Sequence, residues 1–255
     1  MTDEISQIGQ FPGAEGFGAD RYGESFADVY DEWYDDVSDA EATAAFVTDF
    51  GAGQRVLEFG VGTGRLSTAL STAGHHVVGI DASQAMLDRF RPGDDSRAVG
   101  ADMACLPFSA DAFDLVLVAT NTLLNLHTEQ GQDSCMAECR RVLRLGGRLV
   151  VEAMIPGEPD PTLDRLVTTK ELSVDTAILT ATLRDTTTQQ ITGQHIEISN
   201  AGIRMRPWKI RYLTIEQLDS LAAKHNFRLG QRSSDWSGSP VLADSSNAVS
   251  VFVAV

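Results

Sequence analysis

The sequence predicts a doubly wound α/β fold, a mostly parallel sheet with helices on both faces, and three observations predict it. Short apolar runs alternate with amphipathic segments from Arg55 to Met154. The first run breaks into the alternating glycines Gly60, Gly62 and Gly64, as a strand does when it turns into a helix. A Thr-, Ile- and Val-rich stretch over 166–213 departs from the alternation and reads as antiparallel strands.

Residues 1–20 are rich in Gly, acidic and polar residues without a period, which predicts a flexible leader. Phe26, Tyr30, Trp33 and Tyr34 then share one helical face, and a second helix is expected from Ala40 to Phe50. The core follows as strand Arg55 to Phe59, helix Arg65 to Thr72, strand His76 to Ile80 and helix Ser83 to Phe90. It continues as strands Arg97 to Gly100 and Phe113 to Ala119 and helix Gln132 to Leu143. The turn Gly146-Gly147 leads into strand Arg148 to Met154. After Pro156, Pro159 and Pro161, alternations such as Gln194-His195-Ile196-Glu197-Ile198 predict a small antiparallel lid over 157–212. Thr214 with Gln217 forms a capping box for a helix through His225, and strands Phe227 to Arg232 and Val249 to Val255 return to the main sheet. The expected organisation is a leader over 1–20, a core of 21–156 and 213–255, and the inserted lid.

At 255 residues and 43% hydrophobic, the chain can bury one substantial core. No apolar run approaches the roughly 18 residues of a membrane span, and the start is acidic where a secretory signal is basic. A cytoplasmic location is expected. Cys105, Cys135 and Cys139 are too few for a disulfide framework; they read as reduced thiols, and no metal site is expected. A net charge of -16 argues against nucleic acid or anionic membrane as partners. The charge is uneven: residues 1–60 hold fourteen acids against Arg21 and Arg55, whereas 162–212 hold five acids against seven bases, among them Arg204, Arg206, Lys209 and Arg211. That stretch is either a solvated surface or a basic lid for an anionic part of a substrate.

A dinucleotide-binding turn would place its third glycine at position 65, where Arg65 stands. The pattern Glu58-x-Gly60-x-Gly62-x-Gly64 resembles instead the first motif of the class I S-adenosylmethionine-dependent methyltransferases, and later features fall where that family has them. The resemblance covers about 25–155 well and implies a Rossmann-like, seven-stranded sheet whose last strand is antiparallel. It further implies S-adenosyl-L-methionine as cofactor. Asp81, ending the second strand with Ala82 beside it, matches the ribose-binding acid; Asp102 and Met103 match the adenine contacts, and Met86 either packs on adenine or belongs to the core. Ala119 and Asn121 close the family's fourth motif, along the methionine moiety. Glu58 contacts the cofactor or fixes its loop.

Asn121, Asn125 and His127 follow the fourth strand, where such a sheet places its ligand crevice. The segment around Tyr34 is similar to the cover of the N-methyltransferases that act on amino sugars, in which a tyrosine borders the substrate. Those enzymes tend to have His or Tyr where this chain has Asn125, and Asn is no base at neutral pH. Tyr34, Asn125 and His127 are the candidate catalytic residues, and His195 reads as a surface or packing residue of the lid. The reaction implied is methyl transfer to a nitrogen or oxygen of a small-molecule acceptor. An amine with an anionic portion fits the charge pattern, and a homodimer joined through the lid stands beside a monomer. The alternatives are an inactive cofactor-binding sensor, a protein or nucleic-acid methyltransferase and, on the same turn, a nicotinamide-dependent oxidoreductase.

Overall fold

The computed structural model describes residues 18, 20–34, 39–160 and 164–255; the leader expected over 1–20 lies outside them apart from residues 18 and 20. Two short helices, α1 (Arg21–Phe26) and α2 (Tyr30–Tyr34), replace the single aromatic helix, and α3 (Ala40–Thr48) follows. The core runs β1 (Arg55–Phe59), α4 (Arg65–Thr72), β2 (His76–Asp81), α5 (Gln84–Leu87), β3 (Ser96–Gly100), β4 (Phe113–Val118), a 3-10 turn (Thr122–Asn125), α6 (Glu129–Val142) and β5 (Leu143–Met154). The lid is β6 (Arg165–Leu172), β7 (Thr176–Asp185), β8 (Gln190–Ser199) and β9 (Gly202–Arg211). Then α7 (Ile215–Lys224), β10 (Phe227–Ser233) and β11 (Asn247–Ala254) complete the chain.

The main sheet has seven strands in the order β10-β11-β5-β4-β1-β2-β3, and the lid is a separate four-stranded antiparallel sheet. Only β11 runs against its neighbours in the main sheet. The chain leaves β1 toward β2 and β3 and then returns to β4 on β1's other side, so the strand order reverses between β1 and β4. Ligands of open α/β sheets bind outside the carboxyl ends of strands at such a point.

Alternation along the strands builds a core on each face. Leu57, Phe59, Val116, Val118, Leu149 and Val151 pack toward α6 and α7. Val56, Leu115, Leu117, Val150 and Val251 pack toward α3 and α4. Each such side chain, fully buried, stabilises the fold by about 1.5–3 kcal/mol.

Three boundaries differ from the sequence reading for physical reasons. Helix α5 starts after Ser83, whose Oγ accepts the Met86 amide at 3.2 Å, and stops early because the Arg91 amide crosses to the Thr63 carbonyl at 2.9 Å. Helix α6 begins sooner because Thr128 caps it, accepting the Gly131 amide at 3.0 Å. Gly146 and Gly147 lie inside β5, as an irregularity in its pairing with β4.

Candidate active site

The glycine turn is held by conformation and by packing. Gly60, Gly62 and Gly64 have φ of 64°, 54° and 94°, in the left-handed region that glycine alone adopts freely. A Cβ at Gly60 would stand 2.7 Å from the Thr122 methyl, and one at Gly64 2.7 Å from the Phe90 ring. Beneath the turn, Glu58 is 3% exposed, and burial pushes its carboxyl up to about 8 although the Ser67 hydroxyl donates to it at 2.5 Å.

Asp81 ends β2 with both oxygens fixed: Oδ2 accepts the Gly62 amide and Oδ1 the Ser83 amide, each at 2.9 Å. Burial raises its pKa, against the lowering by those amides. Each oxygen keeps a further lone pair for a hydroxyl donor. After β3, Asp102 Oδ1 accepts the Ala104 amide at 2.8 Å.

After β4 the backbone is strained. Thr120 and Asn121 have φ of 52° and 62°, an outlying conformation for a β-branched residue. The Thr120 amide donates to Glu152 Oε2 at 2.7 Å, and Asn121 Oδ1 accepts the Met154 amide at 2.6 Å. Glu152 Oε1 also accepts from Trp236 and Asn247, at 3.2 Å each, so this carboxylate holds the turn in place.

Helices α1 and α2 cover the crevice. Glu24 accepts from the Ser83 hydroxyl at 2.8 Å and the Ala85 amide at 3.1 Å, and Asp31 accepts the Thr63 hydroxyl at 2.5 Å. Tyr30 and Tyr34 lie 5.1 Å apart, centroid to centroid, and burial raises both phenols, Tyr30 to about 12. Between sheet, cover and lid lies a cavity of about 330 Å³. Gly60, Gly62, Asp81, Ala82, Met86, Asp102, Met103 and Asn121 stand on its sheet side, and Tyr34 and Asn125 also line it. Glu58, Gly64 and Ala119 do not face it; Glu58 and Ala119 border a small cleft behind the turn.

A profile described as a methyltransferase domain matches residues 56–147. Among solved structures, the CcbJ methyltransferase of Streptomyces caelestis superposes with a TM-score of 0.87 at 32% identity, over 94% of this chain and 100% of that one. The chain belongs to the S-adenosylmethionine-dependent methyltransferases. Demethylmenaquinone methyltransferase of Clavibacter sepedonicus is 40% identical over 104 residues, 39% of this methyltransferase and 41% of that protein, so the match spans less than half of that relative. CalS10 of Micromonospora echinaspora, an amino pentose methyltransferase solved with its cofactor bound, shares the fold at TM-score 0.66 and 21% identity, over 86% of this chain and 92% of its own.

The donor set of this methyltransferase fits S-adenosylmethionine. Asp81 is a half-buried carboxylate with acceptor capacity left, Gly60 and Gly62 present bare backbone to the cavity, and Met86 and Met103 offer apolar surface to a base.

The two histidines of the sequence analysis stand differently toward the cavity. His127 is absent from the cavity lining; its Nε2 pairs with the Lys209 carbonyl at 2.9 Å and its own carbonyl accepts from Gln190 at 3.0 Å, which ties the lid to the sheet. His195 turns inward, 9% exposed, and lines the cavity. The signal for it was available in the alternation, since Thr180, His195 and Arg206 are opposite one another on β7, β8 and β9 and share the inner face with the buried Ile178.

Three arginines of the basic lid pair with acids outside it. Arg206, 1% exposed, pairs with Asp28 at 2.6 and 3.0 Å and donates to the Ser25 carbonyl at 2.7 Å. Arg204 also meets Asp28, at 2.6 Å, and Arg211 meets Glu129 and Gln132, both at 2.6 Å. These arginines clamp the lid to its surroundings and form no anion site in the cavity.

Proposed function

We propose that this methyltransferase transfers a methyl group to a nitrogen or oxygen of a small-molecule acceptor by in-line displacement, with alignment and desolvation as its main contributions. The reading is carried by one observation: a single cavity of about 330 Å³ is walled on one side by the glycine turn and two acids, and on the other by cover and lid. That volume lies at the small end of ordinary ligand sites, which run from about 300 to 1,000 Å³. When bound, S-adenosylmethionine supplies an electrophilic methyl group on a positively charged sulfur that leaves without protonation.

In this reading Asp81, with Ala82, grips the ribose, Asp102 and Met103 meet the adenine, and Met86 packs on it. Gly60, Gly62 and Asn121 border the methionine moiety, while Glu58, Gly64 and Ala119 support that surface from behind. Residues 157–212 act as a lid inserted into a core of 21–156 and 213–255. Tyr34 and Asn125 border the acceptor. Asn121 presents an oxygen that already accepts from Met154, so its part is to hold the turn. Orientation of this kind gives effective molarities of about 10⁵ to 10⁸ M in well-aligned pairs, and closure by cover and lid keeps water from competing.

Isothermal calorimetry with S-adenosylhomocysteine tests the cofactor site. Radiolabelled methyl transfer to a panel of small amines and phenols tests the reaction. No heat at high micromolar ligand, or label retained in the cofactor across the panel, would sink the respective part.

A further inference from the structure

His195 is the polar residue that the lid turns into the cavity, and it sits in an aromatic nest. Its ring meets Phe26 edge-on at 5.5 Å, Trp33 at 5.7 Å and the tilted Trp208 at 6.2 Å. Nδ1 pairs with Thr180 Oγ1 at 2.8 Å, directly across from it in the β7–β8 register. The ring is thereby oriented, and Nε2 is the nitrogen left for a cavity ligand.

The charges around this end define what can bind. The cavity's carboxylates, Asp81 and Asp102, belong to the sheet side, and the cover and lid contribute Tyr22, Tyr34, His195, Trp208 and Ile210. Behind that wall Lys170 donates to the Trp33 carbonyl at 3.3 Å and lies over the Trp33 and Tyr34 rings at 5.7 and 5.2 Å. Arg206 is spent on Asp28. Burial, together with Lys170 and Arg206, pushes His195 down to about 4, so the ring is neutral at physiological pH. An ammonium at this end would lose its water without gaining a carboxylate, and a carboxylate or phosphate would be separated from Lys170 by the Trp33 and Tyr34 rings; either burial is costly.

We propose that His195 is the residue by which the lid recognises the acceptor, its Nε2 exchanging a hydrogen bond with the N–H or O–H of an acceptor group that binds uncharged. This rests on the proposed function and narrows its substrate class to neutral amines and hydroxyl compounds; an amine is also nucleophilic only in that form. The anionic tail expected from the basic stretch is replaced by a neutral, largely apolar body.

The test uses the full ¹⁵N-labelled chain saturated with S-adenosylhomocysteine, read by long-range ¹H–¹⁵N spectra of the histidine rings, with the His195 signal assigned by its loss in His195→Gln. Aniline is the neutral probe, and benzylamine and benzoate are its cationic and anionic counterparts at neutral pH. Aniline should move the His195 Nε2 signal saturably while the charged probes leave it in place. His195→Phe, which keeps the aromatic nest, should hold S-adenosylhomocysteine affinity within about twofold and weaken aniline about three- to tenfold, the worth of one hydrogen bond. A His195 signal that aniline does not move, or that benzylamine or benzoate moves as far, overturns the proposal. Failure of S-adenosylhomocysteine itself to bind would bring down the proposed function as well; binding with a silent His195 removes this inference alone.

Discussion

The Gly62 amide donates to Asp81 Oδ2 at 2.9 Å, so the glycine turn after β1 and the acid that ends β2 are one unit. The second amide, from Ser83, fixes the other oxygen and leaves the carboxylate a single orientation. Charge-assisted hydrogen bonds are each worth about 1.5–3 kcal/mol. Asp81→Asn should therefore weaken S-adenosylhomocysteine about ten- to a hundredfold by calorimetry, with an unchanged circular dichroism spectrum. Wild-type affinity in that variant would mean that the ribose is held elsewhere.

Gly64 is constrained twice, by a φ of 94° and by a Cβ position 2.7 Å from the Phe90 ring and 3.0 Å from the Arg91 carbonyl. Gly64→Ala should cost about 1–2 kcal/mol in left-handed strain and about 1–3 kcal/mol in overpacking. In a chain of this size that lowers Tm by about 4–20 °C. Adding Phe90→Ala should return part of the loss by opening the space that the methyl needs. If the two substitutions simply add, the ring is not what excludes the side chain.

Much of this was legible in the sequence because it is local. A strand that runs into alternating glycines, and an acid at the end of the next strand, are fixed by spacing along a few residues, so the turn and Asp81 stand where expected. The Thr214–Gln217 capping box is equally local, and it forms. Helix α5 is shorter than its periodicity implies because Phe90 and Arg91 are drawn to the distant glycine turn. The surroundings of His127 and His195 are non-local for the same kind of reason. Which face of β8 meets the cavity depends on how the lid docks, and that docking rests on pairs such as Arg206 with Asp28, 178 residues apart.

That pair joins β9 to the segment between α1 and α2. Burial alone would raise the Asp28 pKa, but the Arg206 and Arg204 guanidiniums outweigh it and hold the carboxyl below its ordinary 3.8. A depressed folded value means that the pair's stabilisation is present above the unfolded pKa and fades as pH falls below about 3.8 through the folded one. Breaking a buried pair from one side costs about 3–5 kcal/mol. Because Asp28 keeps partial exposure and Glu197 stands 3.5 Å from Arg206, Asp28→Ala should cost about 2 kcal/mol at neutral pH. Arg206→Met, which leaves Asp28 still paired with Arg204 and Glu197 part-exposed, should cost less. Denaturant unfolding would decide it, and a greater loss for Arg206→Met would contradict the clamp.

Glu58 produces the opposite pH dependence. Burial carries its carboxyl to about 8, against an ordinary value of 4.5, despite the Ser67 hydroxyl and the charge of Arg65 pulling it down. The folded chain therefore holds a proton between those two values that the unfolded chain has released. Stability from this group is complete below the unfolded pKa and is lost as pH rises through the folded one, so the window runs from about 4.5 to about 8. Glu58→Gln mimics the protonated acid and keeps an oxygen for the Ser67 hydroxyl. Its Tm should match wild type near pH 4.5 and exceed it near pH 8 by several degrees, about 2–4 °C for each kcal/mol. Asp81, also raised by burial, titrates in both proteins. Thermal scans across that range read the difference directly: two parallel curves would place Glu58 in its ionised form throughout and remove the proton from beneath the glycine turn.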